Sequence, residues 1–340
     1  MKYPEINCYP FHANLLSVIS NNDLYKEWFY NFYIQLVCPK NYQQRGMRID
    51  YYTTLLWKSC PFIYYQRLSR DLVNVKWNSI IEFIIDCISL GYYVYFTINT
   101  YFVSNYDSFL NEHMIHDIFI FGYDTEKEIF KVADNFKNGK YAYEEATFKE
   151  IYEGYTNISL TNRTEWLDGI ELINYRKKTN YFDEATHEYT FDMSLFKDSL
   201  QDYLNSINTV TRYRIPSEQW RSGGDWVYGL DIYDFIHNYF DDLLADKTFY
   251  DIRPFHVLWE HKKIMLNRLK YLKDSGYLSD LDSVYNKYSD IENDMLLIKS
   301  LWIKYSLIKE EDTIIKILKK LEEVKAKEQK ILERLISMLP

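Results

Sequence analysis

The chain has 340 residues, 47% of them hydrophobic, and a formal net charge of −9. That length suits two domains, or one domain with a large appendage, and the apolar content is enough for a sizeable core. The acidic balance excludes the basic footprint of a nucleic-acid binder. Aromatic residues make up 18%, with 34 Tyr and 20 Phe. Most are read as ordinary core and surface residues; the rest could line a cleft for a flat ligand. The four cysteines, Cys8, Cys38, Cys60 and Cys87, form no CxxC pair and no zinc-finger spacing. In a chain this long that is a reduced, cytoplasmic pattern. The start, MKYPEINCYP, is polar and carries Pro, so no secretory signal is expected. No apolar run reaches the roughly 18 residues that span a bilayer. IIEFIIDCISLGYYVYFTI comes nearest, but Glu82, Asp86 and Gly91 interrupt it.

In chain order, PFHANLLSVI repeats Phe11, Leu15 and Ile19 on one helical face. Asn7 is the expected N-cap, with Pro10 tolerated in the first turn. More helix is expected over 23–37 and over 77–90, where Gly91 would terminate it. YYVYFTINTYFV (92–103) reads as a strand. DIFIFGYD and EIFKVADNF form a hairpin joined by Asp124-Thr125-Glu126-Lys127. TFKEIYEGY is a short helix, and GIELINYRK (169–177) the expected final strand. From about residue 180 the pattern turns helical: FDMSLFKDSLQDYLNSI, VYGLDIYDFIHNYFDDLL, FHVLWEHKKIMLNRLKYLKDSG, then 278–308. The last helix is apolar at 314, 317, 321, 324, 331, 335 and 338, a 3-4 spacing broken by Glu328. That stripe predicts antiparallel packing within a bundle. The fold class is therefore α+β, with domains over 1–178 and 179–340 and a boundary within 178–190.

Within the first domain one constellation points to chemistry. A thiol at a helix N-terminus feels the positive end of the dipole, so Cys8 is a candidate nucleophile. The competing reading is a small buried hydrophobe. His116 opens one hairpin strand and Asp134 closes the next. A hairpin centred near Asp124–Lys127 places the two side chains opposite or nearly so. Cys8, His116 and Asp134 then make a Cys–His–Asp triad. His113 is the rival base. A metal site from Glu112, His113 and His116 is disfavoured, because HxxH converges on a helix and this segment reads as strand. No cofactor or metal is expected. His12 is read as structural and Asp124 as a turn residue. Lys262, Lys263, Arg268 and Lys270 are read as a solvated helix face, with an acidic carrier protein as the sharper alternative.

The order of NCYPFHANLL, GYYVYFTINTYFV, HMIHDIFIFGYD and FKVADNF resembles papain-fold cysteine enzymes of the bacteriocin-leader peptidase type. More narrowly it is similar to the butirosin biosynthesis protein H family. YGLDIYDFI and RPFHVLWEHKKIMLNRLKYL resemble that group's helical region, so the likeness spans most of the chain. The resemblance implies a papain-like cysteine protease fold, an N-terminal helix packed on an antiparallel sheet, followed by a mostly helical lid that binds substrate and partner. It implies a cysteine acyltransferase or amide synthase of natural-product assembly. The acyl donor would be the phosphopantetheine thioester of an acyl or peptidyl carrier protein, and the acceptor a small amine or diamine. Carried over by motif, Cys8 is the nucleophile, His116 the base and Asp134 its orienter. One departure is Lys2, which stands where papain-like peptidases place an oxyanion Gln. Asn7 and Asn99 are the oxyanion candidates, and the sequence does not choose between them. A peptidase or amidase with the same triad, or a non-catalytic papain-like binding protein, are the alternatives.

Overall fold

A computed structural model describes residues 1–53, 56–159, 164–176, 189–213 and 224–340. Its strands, in chain order, are β1 (Leu36–Pro39), β2 (Asp50–Tyr51), β3 (Ile63–Ser69), β4 (Tyr92–Asn99), β5 (Ile115–Asp124), β6 (Ile129–Asn135), β7 (Tyr141–Thr147), β8 (Gly169–Tyr175) and β9 (Trp226–Tyr228). The principal helices are α1 (Pro10–Ile19), α2 (Ile80–Ser89), α3 (Phe148–Thr156), α4 (Met193–Leu204), α5 (Asp231–Leu244), α6 (Arg253–Asp274), α7 (Asp282–Ile308) and α8 (Glu311–Met338). The architecture is mixed α+β with antiparallel sheets and a helical C-terminal region. Among the described residues, no helix is long and apolar enough to cross a membrane.

The chain divides into two compact units, and neither is a single stretch. The first joins Met1–Tyr25 to Trp57–Tyr189; the second joins Lys26–Leu56 to Thr190–Pro340. The expected boundary within 178–190 falls almost wholly outside the described residues. The departure from two consecutive domains is the segment Lys26–Leu56. Its β1 pairs with β9, Val37 opposite Tyr228, so Gly169–Tyr175 is not the final strand. Arg268 of α6 donates to the carbonyls of Tyr30 and Tyr33, and His261 donates to that of Ile34. These bonds satisfy carbonyls in the last turn of the helix Tyr25–Phe32 and just past its end.

The first unit is built on a six-stranded antiparallel sheet in the order β3-β8-β4-β5-β6-β7. Alternation along the strands sends Val94, Phe96, Ile98, Ile118, Ile120, Phe130 and Val132 to one face. There they form a core with Ile80, Phe83 and Ile84 of α2 and Ile151 of α3. Local signals set these helices: Ser79 caps α2, Gly91 follows its end at φ +85°, and Thr147 with Glu150 forms a capping box on α3. The strand expected over 92–103 stops at Asn99, whose side chain caps a short 3-10 turn, Thr100–Phe102. The tyrosines of β7 on the opposite face hold α1: Tyr141 donates to Asn14 at 2.8 Å, and Tyr143 to Ser17 at 2.8 Å.

The second unit packs α4 to α8 with the small sheet β2-β1-β9. On α8 the buried stripe runs Ile314, Ile317, Leu321, Val324, Glu328, Ile331 and Leu335, following the expected spacing. Glu328 does not interrupt it. Its carboxylate is fully buried and accepts from Lys262 at 2.7 Å, Tyr233 at 2.9 Å, Tyr203 at 3.3 Å and also Tyr288. Lys262 and Arg268 are fully buried as well, which corrects both readings of that basic group. Of the four, only Lys263 and Lys270 lie exposed. The buried pair persists because each charge finds several hydrogen-bond partners in place of water.

Candidate active site

The site begins at the entry to α1. Helical backbone starts at Pro10, and Tyr9 is the N-cap, extended at φ −129° and ψ 133°. Its carbonyl accepts from His12 and Ala13. The cap is therefore not Asn7, and no side chain caps this end: Pro10 at the first position needs no N–H partner and presets the helical φ. Cys8 stands one residue before the cap, 6% exposed. It remains at the positive end of a ten-residue helix, though outside its first turn. None of the four cysteines is in a disulfide.

The other half of the site is the hairpin β5–β6. Its ladder pairs Phe119 with Ala133, and a bulge shifts the register between Ile120 and Gly122. His116 is therefore offset by two residues from the position directly across from Asp134. An offset of two keeps both side chains on one face, so they meet diagonally. His116 Nδ1 lies 2.7 Å from Asp134 Oδ2 and 3.1 Å from the Asp117 carbonyl. Both neighbours are acceptors, so Nδ1 carries the hydrogen and Nε2 is the nitrogen left for chemistry. Burial pulls the imidazole's pKa down, but Asp134 and Asp117 outweigh it and raise it to about 9.

Asp134 is fully buried. Its Oδ1 accepts from the Asn135 backbone at 2.7 Å, and its Oδ2 accepts from Tyr106 at 2.5 Å as well as from His116. Asn135, the next residue, turns its side chain to the other side of the strand and donates to the Cys8 carbonyl at 3.2 Å. The end of β6 thus holds both halves: Asp134 bonds His116, and Asn135 bonds Cys8.

The remaining expected residues fall as follows. Asn99 uses its oxygen on the Tyr101 N–H and its nitrogen on the Asn157 carbonyl and His113 Nδ1. Both amide hydrogens are committed, so serving an oxyanion would require breaking one bond. Asn7 lies half-buried beside Cys8. His113 is exposed, stacked on Tyr101 at 4.1 Å, and occupied by Asn99. His12 is fully buried against Phe11. Lys2 is exposed, and its carbonyl accepts from Tyr143. Asp124 accepts from the N–H groups of Glu126 and Lys127, as a turn residue does. Among the described residues, no three His, Cys, Asp or Glu converge as a metal site would require.

Two residues of the site escaped the sequence reading. Asn135 stands beside Asp134, and strand alternation would have placed it on the opposite face. Tyr106 lies in an irregular connection and had no pattern to mark it. No protein-family model matches this chain, and no curated protein matches it in sequence.

Proposed function

We propose that the protein is a cysteine-dependent acyltransferase with a papain-like first unit, forming amides through an acyl-Cys8 intermediate. The observation that carries this reading is the His116–Asp134 pair at 2.7 Å, tied to Cys8 through Asn135. An imidazole with a raised pKa favours the thiolate–imidazolium ion pair with a thiol it reaches, the reactive form of such a couple. A thiol just ahead of a helix, in a unit whose antiparallel sheet carries His and Asp, supports the papain-like reading. Four cysteines kept as thiols suit a reducing cytoplasm.

In the proposed reaction the Cys8 thiolate attacks the carbonyl carbon of a carrier-bound thioester. The carbon–sulfur bond to the carrier breaks, and the departing thiolate takes the proton of the His116 imidazolium. The acyl group is now on Cys8. An amine then attacks, His116 Nε2 receives its proton, and Cys8 leaves as thiolate with the amide released. Thioester to amide runs downhill, so no ATP is consumed. Asp134 holds the ring in the tautomer both steps need. Water must be excluded, or the acyl-enzyme hydrolyses.

The test is intact-protein mass spectrometry after incubation with simple acyl thioesters, comparing the native chain with Cys8→Ala. The proposal expects one added acyl group on the native chain alone, discharged by a diamine to an amide. Discharge to free acid at a rate indifferent to amine would make it a hydrolase. No adduct with any thioester, and alkylation of Cys8 at an ordinary thiol's rate, would make it a binding protein.

A further inference from the structure

Tyr106 belongs to the core cluster that also holds Val103, Ile118, Val132 and Phe136, an apolar setting that suits a phenyl ring equally well. Its ring meets Phe136 edge-on at 5.0 Å and lies 6.1 Å from the His116 ring. Successive turn bonds hold its backbone, Tyr106 N–H to Val103 and Phe109 N–H to Tyr106. What needs explaining is the hydroxyl. It reaches two acceptors, Asp134 Oδ2 at 2.5 Å and the Asp117 carbonyl at 3.2 Å. One proton cannot serve both fully, and the shorter contact, to a charged oxygen, is the stronger.

We propose that Tyr106 is a positioning residue of the dyad: it donates to the same Asp134 oxygen that accepts from His116, and so sets how strongly Asp134 holds the imidazolium. An oxygen that already accepts one hydrogen bond offers less negative charge to a second donor. Without that sharing, Asp134 would hold the proton on the ring more tightly. An acid–base group works best when its pKa lies near the working pH, because it must release a proton as readily as it takes one. Tyr106 is suited to the task because burial, then Asp134, push its own pKa well above the usual tyrosine value, so it remains a donor.

The groups that bear on this dyad are Asp117 from β5, Tyr95 from β4 and Tyr141 from β7. Burial raises the pKa of both tyrosines, so they stay neutral. Asp117 accepts from Trp166 at 2.7 Å, and burial raises its pKa. None of the three offers Asp134 Oδ2 the hydrogen that Tyr106 gives.

The catalytic consequence rests on the acyltransfer reading, but the test does not. It is an NMR titration of the His116 ring in the full chain, with the signal assigned by its loss in His116→Gln and with His113 as internal control. Tyr106→Phe should raise the His116 midpoint by at least about half a unit, leaving His113 unmoved. Fluorotyrosine at position 106, a stronger donor, should lower it, which keeps the test open if the Phe variant folds poorly. Asp134→Asn should lower it further. A midpoint that is unchanged or falls in folded Tyr106→Phe, or that rises with fluorotyrosine, overturns the proposal. Acyl-Cys8 formation is read separately by mass, so a failure of the acyltransfer reading leaves the titration result standing.

Discussion

The buried ion pair of the helical unit gives the most exacting test of how that unit is held together. Lys262 and Glu328 are both fully inaccessible. Lys262 donates to Glu328 Oε1 at 2.7 Å and to Tyr203 at 2.9 Å, and its third neighbour is His261 Nδ1 at 3.1 Å. His261 Nε2 donates to the Ile34 carbonyl, which leaves Nδ1 as an acceptor for the ammonium. Glu328 gathers hydroxyls from α4, α5 and α7 besides the ammonium from α6. Removing one charge strands the other away from water, at a cost of about 3–5 kcal/mol. Lys262→Met should fall near the lower end, because three tyrosine hydroxyls still solvate the carboxylate. Glu328→Gln should fall higher, because the ammonium keeps only neutral partners. With both changes made, neither position leaves a charge stranded without its partner, so the double variant should be less destabilised than the two singles added together, by about 2–3 kcal/mol. Urea unfolding followed by tryptophan fluorescence, with Trp302 fully buried in the same unit, measures all three. Singles that each cost under about 1 kcal/mol, or additivity within about 0.5 kcal/mol, would refute the account of a mutually dependent buried pair.

The His116–Asp134 bond makes a pH-dependent contribution to stability. The folded pKa of His116, about 9, lies above the ordinary histidine value of 6.5. Its contribution is therefore complete below about pH 6.5 and is lost as pH rises through 9. Denaturation midpoints at pH 6 and pH 9.5, for the native chain and His116→Gln, should differ more at the lower pH; an equal difference would contradict this. Gly154→Ala would drive a methyl group into Ile98 and within 3.1 Å of the Asn99 carbonyl, between α3 and β4. A loss of roughly 1–3 kcal/mol is expected, and a variant as stable as the native chain would show that this packing can yield. Thr147→Ala removes the cap of α3 and one half of its capping box, with an expected cost of about 1 kcal/mol in the same unfolding assay.

Local patterns determined a good deal of this protein. Alternation and turn residues were enough for the β5–β6 hairpin, and with it the meeting of His116 and Asp134. That survived a register two residues from the expected one, because a shift of two does not change the face of a strand. The 3-4 spacing marked the buried stripe of α8 for the same reason: helical periodicity is a property of the chain itself. What the sequence left open depends on partners far away along it. Glu328 reads as a flaw in a stripe until four other helices bring it an ammonium and three hydroxyls. Lys262 and Arg268 read as surface charges because nothing local says their partners are Glu328 and the carbonyls of Tyr30 and Tyr33. Lys26–Leu56 joins the second unit through strand pairing, carbonyl capping and side-chain bonds such as Tyr42 to Asp242, with partners that stand more than a hundred residues further along the chain. Tyr106 follows the same rule at the candidate site. Its place in an irregular connection carries no period, and only the folded sheet brings its hydroxyl to Asp134.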